Sequence, residues 1–210
     1  MPFDPDYGDT HVSDEDRDAL TPTVKKLLGE NILKADLYDL EQQLQAEVAD
    51  DLVSEVFAGS LTVSDLLTDH FLRSLHRALY RPIWNWGGKQ RNRETNIGIA
   101  PEQISVALKS ALDNLLYRWE LRDGVSARYL GIAAHASLVH IHPFIDGNGR
   151  TTRLLADLIY LAGQSESEVR VYEWNVDRDA YIHQLRQYDE TQNPQPLVDL
   201  ITVVELSEQI

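Results

Sequence analysis

Apolar residues recur three or four apart over most of the chain, which is the spacing of one face of a helix. Leu33, Leu37, Leu40, Leu44 and Val48 form one such face. Phe71, Leu72, Leu75 and Leu79 form another, and Ile104, Leu108, Ala111, Leu115 and Leu116 a third. From about Ser126 to Ile141 the run is apolar on most sides, through Leu130, Ile132, Ala133, Ala134, Ala136, Leu138 and Val139, which predicts a buried central helix. A following helix is predicted from near Arg150 to Ala162, with Gly163 as its stop. Asp177 is placed to cap a helix through Tyr188, and Pro194 and Pro196 precede a last one from Leu197 to about Leu206. Punctuation agrees with this division: Thr21-Pro22 reads as a helix start and Gly29 as a stop. Arg81-Pro82 ends the next face, Pro101 opens another, and Gly124 breaks it.

Two stretches leave the helical period. Residues 84–99 contain Gly87 and Gly88, then polar residues, then Thr95, Ile97 and Ile99 in alternation, which predicts a short hairpin or extended flap. Glu168 to Trp174 alternates enough for a brief extended piece or loop. The expected fold is therefore all-α, a helical bundle with a short β-hairpin flap and no internal repeat. Residues 1–20 hold seven acids, one Arg and two prolines, so they are expected to form a loosely ordered acidic arm before a single domain at 21–210. His70 and His76 are expected at surface or half-buried helix positions.

Composition narrows the functional classes. A chain of 210 residues can bury a substantial core, and its 43% hydrophobic and 25% charged content is ordinary for a soluble protein. The formal charge of −15 argues against broad binding to nucleic acid or anionic membrane. No apolar run approaches the roughly 18 residues that span a bilayer. The opening Met-Pro-Phe-Asp-Pro-Asp lacks the basic and apolar regions of a signal peptide. Absence of cysteine excludes disulfides and thiolate zinc sites, and a reducing cytoplasm is the expected setting.

The chemistry gathers between the two most apolar helices, at Ile141-His-Pro-Phe-Ile-Asp-Gly-Asn-Gly-Arg-Thr-Thr-Arg153. Pro143 cannot continue a helix and biases His142 out of the helical region. Gly147 and Gly149 permit a tight turn with exposed backbone, and the next helix begins with N–H groups that have no intrahelical acceptor. Turn, N–H groups and positive dipole end make an anion cradle. Arg150 and Arg153, three apart, share one side of it; Asp157, one turn on, is an alternative partner for Arg153. His135, His140 and His142 cannot chelate one metal while the helix holds. The last two project about 200° apart, and the first and last stand about 10 Å apart along the axis.

These residues resemble the Fic (Fic/Doc) family, whose signature His-x-Phe-x-Asp/Glu-Gly-Asn-Gly-Arg-x-x-Arg is met at 142, 144, 146, 147, 148, 149, 150 and 153. The likeness extends through the preceding helix and the 84–99 segment. It implies a Fic-type helical bundle and a protein adenylyltransferase, moving AMP from ATP to a Ser, Thr or Tyr hydroxyl of a target protein. His142 would be the general base, since imidazole titrates near pH 7. Asp146 would hold Mg²⁺, and Gly147, Asn148 and Gly149 the α- and β-phosphates. Arg150 would take the β-phosphate and Arg153 the γ-phosphate. Phe144 would anchor the loop. Gly88, Arg91 and the flap residues Thr95, Asn96, Ile97 and Gly98 fit the family's target-holding element, with Gln90 where an aromatic residue usually stands.

The same resemblance brings two alternatives. A Doc-like kinase would transfer the γ-phosphate, but that subgroup carries Lys where this chain has Gly149. A non-catalytic nucleotide- or target-binding module would not need the full set of groups present here. Inhibited family members carry Ser/Thr-x-x-x-Glu-Gly/Asn; Glu30-Asn31 is a partial match, with Lys26 in place of the hydroxyl residue. Glu30 is thus a candidate restraint on Arg153, and a separate antitoxin or inhibitor protein is the other route the family uses.

Overall fold

The computed structural model describes residues 11–121, 124–164 and 169–206. It is mostly helical, as the periodicity predicts. The chain divides into two compact units, Met1–Asp51 with Arg73–Lys89, and Leu52–Leu72 with Gln90–Ile210.

The first unit holds α1 (Asp14–Ala19), α2 (Pro22–Leu28), the greater part of α3 (Lys34–Phe57) and the later turns of α5 (Asp69–Tyr80). Half of the expected loose arm is thereby ordered, while residues 1–10 lie outside the described residues. The acids responsible for that expectation are what favour the helix. Ser13 accepts a hydrogen bond from the Asp16 N–H, and Asp14, Glu15 and Asp16 sit at the positive end of the dipole. Thr21 caps α2 as predicted. Among aliphatic neighbours, an aromatic cluster runs through this unit. His76, Tyr80, Trp86 and Trp84 follow one another with ring centroids 4.8 to 5.8 Å apart. The Trp84 indole donates to Glu41 at 2.6 Å. His76 is fully buried rather than near the surface, because its Nδ1 accepts the Gly88 N–H at 2.8 Å, which supplies the partner a buried imidazole needs.

In the second unit, α4 (Val63–Leu66) is closed by a capping box between Thr62 and Asp65. A single 3₁₀ turn, Pro101–Gln103, leads into α6 (Ile104–Glu120). The predicted central rod is α7 (Ala127–Ile141), capped by Ser126 and buried along most of its length. It packs against α6, α8 (Asn148–Gly163), α9 (Arg178–Thr191) and α10 (Gln195–Leu200). Ile132, Ala136, Ala156, Tyr160, Tyr172, Tyr188 and Ile201 fill the space between them. The last helix stops six residues short of its expected end. Val203–Glu205 instead form β2, paired antiparallel with β1 (Arg170–Tyr172). Ile201, Val203 and Val204 are β-branched, and strand β1 offers them backbone partners that a helix extension would not. This is the small antiparallel pair of an otherwise helical fold. It is made by residues other than 84–99, where the described backbone shows turns, bends and two isolated bridges, Leu20 with Trp84 and Gln90 with Phe144.

Candidate active site

Helix α7 ends because Pro143 follows, and the ending is abrupt. His142 takes φ 53°, ψ 62°, the left-handed region, and its N–H still bonds back to the Leu138 carbonyl. A residue with a Cβ spends about 1–2 kcal/mol in that conformation, so the surroundings must hold it. Arg91 does so. It is 4% exposed and donates to four carbonyls: through Nε to His142 at 2.6 Å, through Nη1 to Arg93 at 3.0 Å, and through Nη2 to Ile99 and Ile141. The Arg91 N–H adds a bond to the Pro143 carbonyl at 2.9 Å. One buried guanidinium therefore ties the flap to the end of α7. It belongs among the functional residues, although the sequence pointed to it only as part of a family pattern.

The loop between α7 and α8 is braced from inside. Phe144 is 1% exposed, as expected of an anchor. Asn148 is buried, and its amide closes on Phe144 from both ends, accepting from the Phe144 N–H at 3.0 Å and donating to the Phe144 carbonyl at 2.9 Å. The amide is thus committed to the loop, and what Asn148 offers an anion is its backbone N–H. Gly147 turns the chain at φ 76°, and α8 begins directly after it. The first internal bond of α8 runs from Thr151 N–H to Gly147, so the N–H groups of Asn148 and Gly149 have no intrahelical acceptor. A Cβ on Gly149 would meet only Arg153 Nη1, at 3.8 Å. The second motif arginine therefore lies over the glycine turn, with open space beside it. Arg150 is half-buried on the same first turn.

Asp146 is exposed beside this turn, and its Oδ1 accepts the Gly147 N–H at 2.7 Å. Among the described residues no three His, Asp or Glu gather where a metal could sit. A single carboxylate next to a phosphate-sized cradle fits Mg²⁺ that arrives on a polyphosphate, not a resident metal. The three histidines that a zinc reading would need go separate ways. His135 uses both ring nitrogens on Thr152 and Tyr181, and His140 pairs with Asp189 at 2.7 Å.

His142 and the flap share one groove. A cavity of about 520 Å³ is lined by Arg93, Glu94, Thr95, Asn96, Ile97, His142 and Ile145. Ile97 is 58% exposed at its edge, and Thr95 closes the tip through a hydroxyl bond to the Ile97 carbonyl. Gly98 presses against His142 from the same side. Burial lowers the His142 pKa. The Val139 carbonyl draws it back without reaching hydrogen-bond geometry, Arg91 lowers it further and Asp146 raises it. The imidazole is therefore in its neutral, proton-accepting form near pH 7. Gln90 replaces the ring expected there with a backbone bridge to Phe144 and an amide oxygen that accepts from Ser105 at 3.0 Å. Glu30 is exposed in the turn between α2 and α3, within the first unit.

Comparison with known proteins agrees with this arrangement. Residues 66–160 match the Fic/DOC family. A protein adenylyltransferase Fic from Drosophila erecta is 34% identical over 119 residues, covering 53% of this chain and 23% of that protein. The chain thus matches less than a quarter of the length of such relatives. Among solved structures, the N-terminal Fic domain of a VirB-translocated Bep effector from Bartonella quintana superposes with a TM-score of 0.60 at 20% identity, over 80% of this chain and 82% of that one. The BepC effector from Bartonella tribocorum, solved with bound AMPPNP, gives a TM-score of 0.60 at 19% identity, over 80% and 86%. At those identities the structural likeness is one of fold.

Proposed function

We propose that the protein, whose residues 66–160 match the Fic/DOC family, transfers AMP from ATP to a hydroxyl side chain of a target protein, in the cytoplasm. The observation that carries this reading is the shared groove. The neutral His142 lines the same cavity as the flap residues 93–97, next to the glycine turn over which Arg153 lies.

In the proposed reaction the target oxygen bonds to the α-phosphorus, the bond to pyrophosphate breaks, and the hydroxyl proton passes to His142. The exposed edge of Thr95, Asn96, Ile97 and Gly98 would receive the target chain by main-chain pairing, with Ile97 against an apolar side chain. Backbone N–H groups of Asn148 and Gly149 would receive the α- and β-phosphates, aided by the α8 dipole. Arg150 and Arg153 would hold the outer phosphates, Arg153 setting which way the triphosphate lies. Asp146 would hold Mg²⁺, which when bound supplies positive charge to the leaving pyrophosphate.

Incubation with α-labelled or γ-labelled ATP, Mg²⁺ and a cell lysate tests the reading. Label from the α-position alone is expected; label from the γ-position alone would establish the kinase alternative instead. His142→Ala should abolish transfer and keep ATP binding. A restraint by Glu30 rests on the sequence pattern. It predicts that Glu30→Gly raises self-modification, and an unchanged level removes it.

A further inference from the structure

Positive charge is unevenly distributed along this acidic chain. Residues 73–93 hold six of its 19 Lys and Arg and none of its 34 Asp and Glu. Arg91 is buried, with its bonds to the end of α7, and Arg93 lines the groove beside His142. Arg73, Arg77, Arg81 and Lys89 belong to the first unit.

Local packing brings three of these together. Arg77 and Arg81 stand one turn apart at the C-terminal end of α5, about 6 Å along its axis, and the Arg81 N–H bonds back to the Arg77 carbonyl at 2.9 Å. The chain then returns to the same place through Gly87 and Gly88. A Cβ on Gly87 would lie 2.4 Å from the Arg81 backbone nitrogen, and one on Gly88 would lie 2.8 Å from the Arg77 Cβ. The Gly88 N–H bonds to the buried His76 Nδ1 at 2.8 Å, and the Lys89 N–H to the Trp86 carbonyl at 2.9 Å. The turn is thus pinned against the end of α5, and Lys89 follows one residue on, beside the two arginines. All three side chains are exposed. Arg81 donates to the neutral Asn85 side chain at 3.2 Å. Among the described residues no carboxylate lies within salt-bridge range of Arg77, Arg81 or Lys89. Glu41 reaches this segment but takes the Trp84 indole N–H at 2.6 Å.

Like charges one turn apart repel, so the fold gains nothing by gathering them. A chain with 34 carboxylates could pair each of these cations internally, yet it leaves them facing solvent. We propose that Arg77, Arg81 and Lys89 form a docking surface for a short acidic segment of a partner protein. Two guanidinium forks suit carboxylates, and the ammonium adds a third donor group beside them. The extent of the patch selects the occupant. A nucleic-acid duplex or an anionic lipid surface reaches far past three cations, where it would meet the net charge of −15. A segment with three or four carboxylates ends where the patch ends. Complementarity of this kind speeds encounter and sets which partner is accepted.

Titration of the full chain with a fluorescein-labelled peptide of four consecutive glutamates, at about 20 mM and about 300 mM salt, tests this. Binding is expected at low salt and should weaken at least about tenfold at the higher salt, because exposed pairs are screened. The combined changes Arg77→Gln, Arg81→Gln and Lys89→Gln should weaken low-salt binding at least about tenfold. A control with the same loss of charge, Lys25→Gln, Lys26→Gln and Lys109→Gln, should stay within about twofold of wild type. Lys89→Gln alone, on the turn and not the helix, should weaken binding about two- to fivefold, and it serves if the triple variant does not fold. A wild-type chain that does not bind the peptide, or an equal loss in both triple variants, would overturn the proposal. Tighter binding through the same three residues of a DNA duplex of about 20 base pairs, or of phosphatidylserine vesicles, would overturn it in favour of an extended polyanion. Self-association of the wild type that the first triple variant abolishes would overturn it in favour of a second copy of this chain.

Discussion

Gly98 stands so close to His142 that a Cβ built on it would lie 2.4 Å from the His142 Cβ, and 2.9 Å from Arg91 Nη2. Gly98 also has φ 98°, which side chains resist. Flap and base are therefore in direct contact, and no other residue fits at 98 without moving one of them. Gly98→Ala should displace the flap, lowering transfer to a target protein by at least about tenfold while ATP affinity stays near wild type. Parallel nucleotide titration and label-transfer assays separate the two. Unchanged transfer would mean that the flap does not set the hydroxyl against His142.

Arg91 carries a second expectation. Its donors satisfy carbonyls of Arg93, Ile99, Ile141 and His142 at once, and removal would take this donor from one buried and three part-buried bonds. Arg91→Ala should cost about 2–3 kcal/mol in urea unfolding. Arg91→Lys should recover only part, because an ammonium cannot reproduce the planar fork. A loss below about 0.5 kcal/mol in the alanine variant would show that water replaces the clasp.

Much of this is legible in the sequence alone. The central rod, the stop at Pro143, the caps at Thr21 and Asp177 and the glycine turn before α8 all follow from local rules, because each depends on residues within one or two turns. What escaped depends on partners distant in sequence. His76 looked superficial until Gly88 supplied its donor. The Asn148 amide is held at both ends by Phe144, which leaves its backbone N–H as the group that faces the phosphates. Residues 201–205 look helical by apolar count and become a strand only because β1 lies alongside. Tyr181, 46 positions after His135 in the sequence, carries no local mark of its bond to that ring.

Asp157 and His135 make opposite demands on pH. Burial raises the Asp157 pKa from its ordinary 3.8 to about 7, against the pull of the Trp174 indole, the Tyr172 backbone and Arg153. Between those values the folded chain holds a proton that the unfolded chain has released. Stability from this group is complete below about 3.8 and is lost as pH rises through 7. His135 is the reverse: burial, with Arg153 nearby, lowers it from 6.5 to about 3, so its contribution is complete above 6.5 and is lost as pH falls. The two slopes offset each other between roughly pH 4 and 6.5. Asp157→Asn keeps an acceptor for the indole and removes one slope. Relative to wild type it should lose about 1.4 kcal/mol per pH unit as pH falls from about 7 to 4, read by urea denaturation across that range. A difference that stays constant with pH would mean that Asp157 is ionised throughout.

Gly149 separates folding from binding. It lies in the first turn of α8 without a positive φ, and a Cβ there would make only an ordinary contact with Arg153 Nη1. Nothing in the protein itself requires glycine at this position. Gly149→Ala should therefore raise stability by up to about 1 kcal/mol, since alanine restricts the unfolded chain and favours a helix. The same methyl would enter the open space above the turn, where a phosphate must approach the backbone closely to use the Asn148 and Gly149 N–H groups. ATP affinity should fall at least about tenfold, equivalent to roughly 1.4 kcal/mol. Thermal melting and nucleotide titration on one preparation test both halves. A variant that melts higher and binds ATP as tightly as wild type would place the triphosphate elsewhere than on this turn. A variant that melts lower would show that the glycine serves the fold after all.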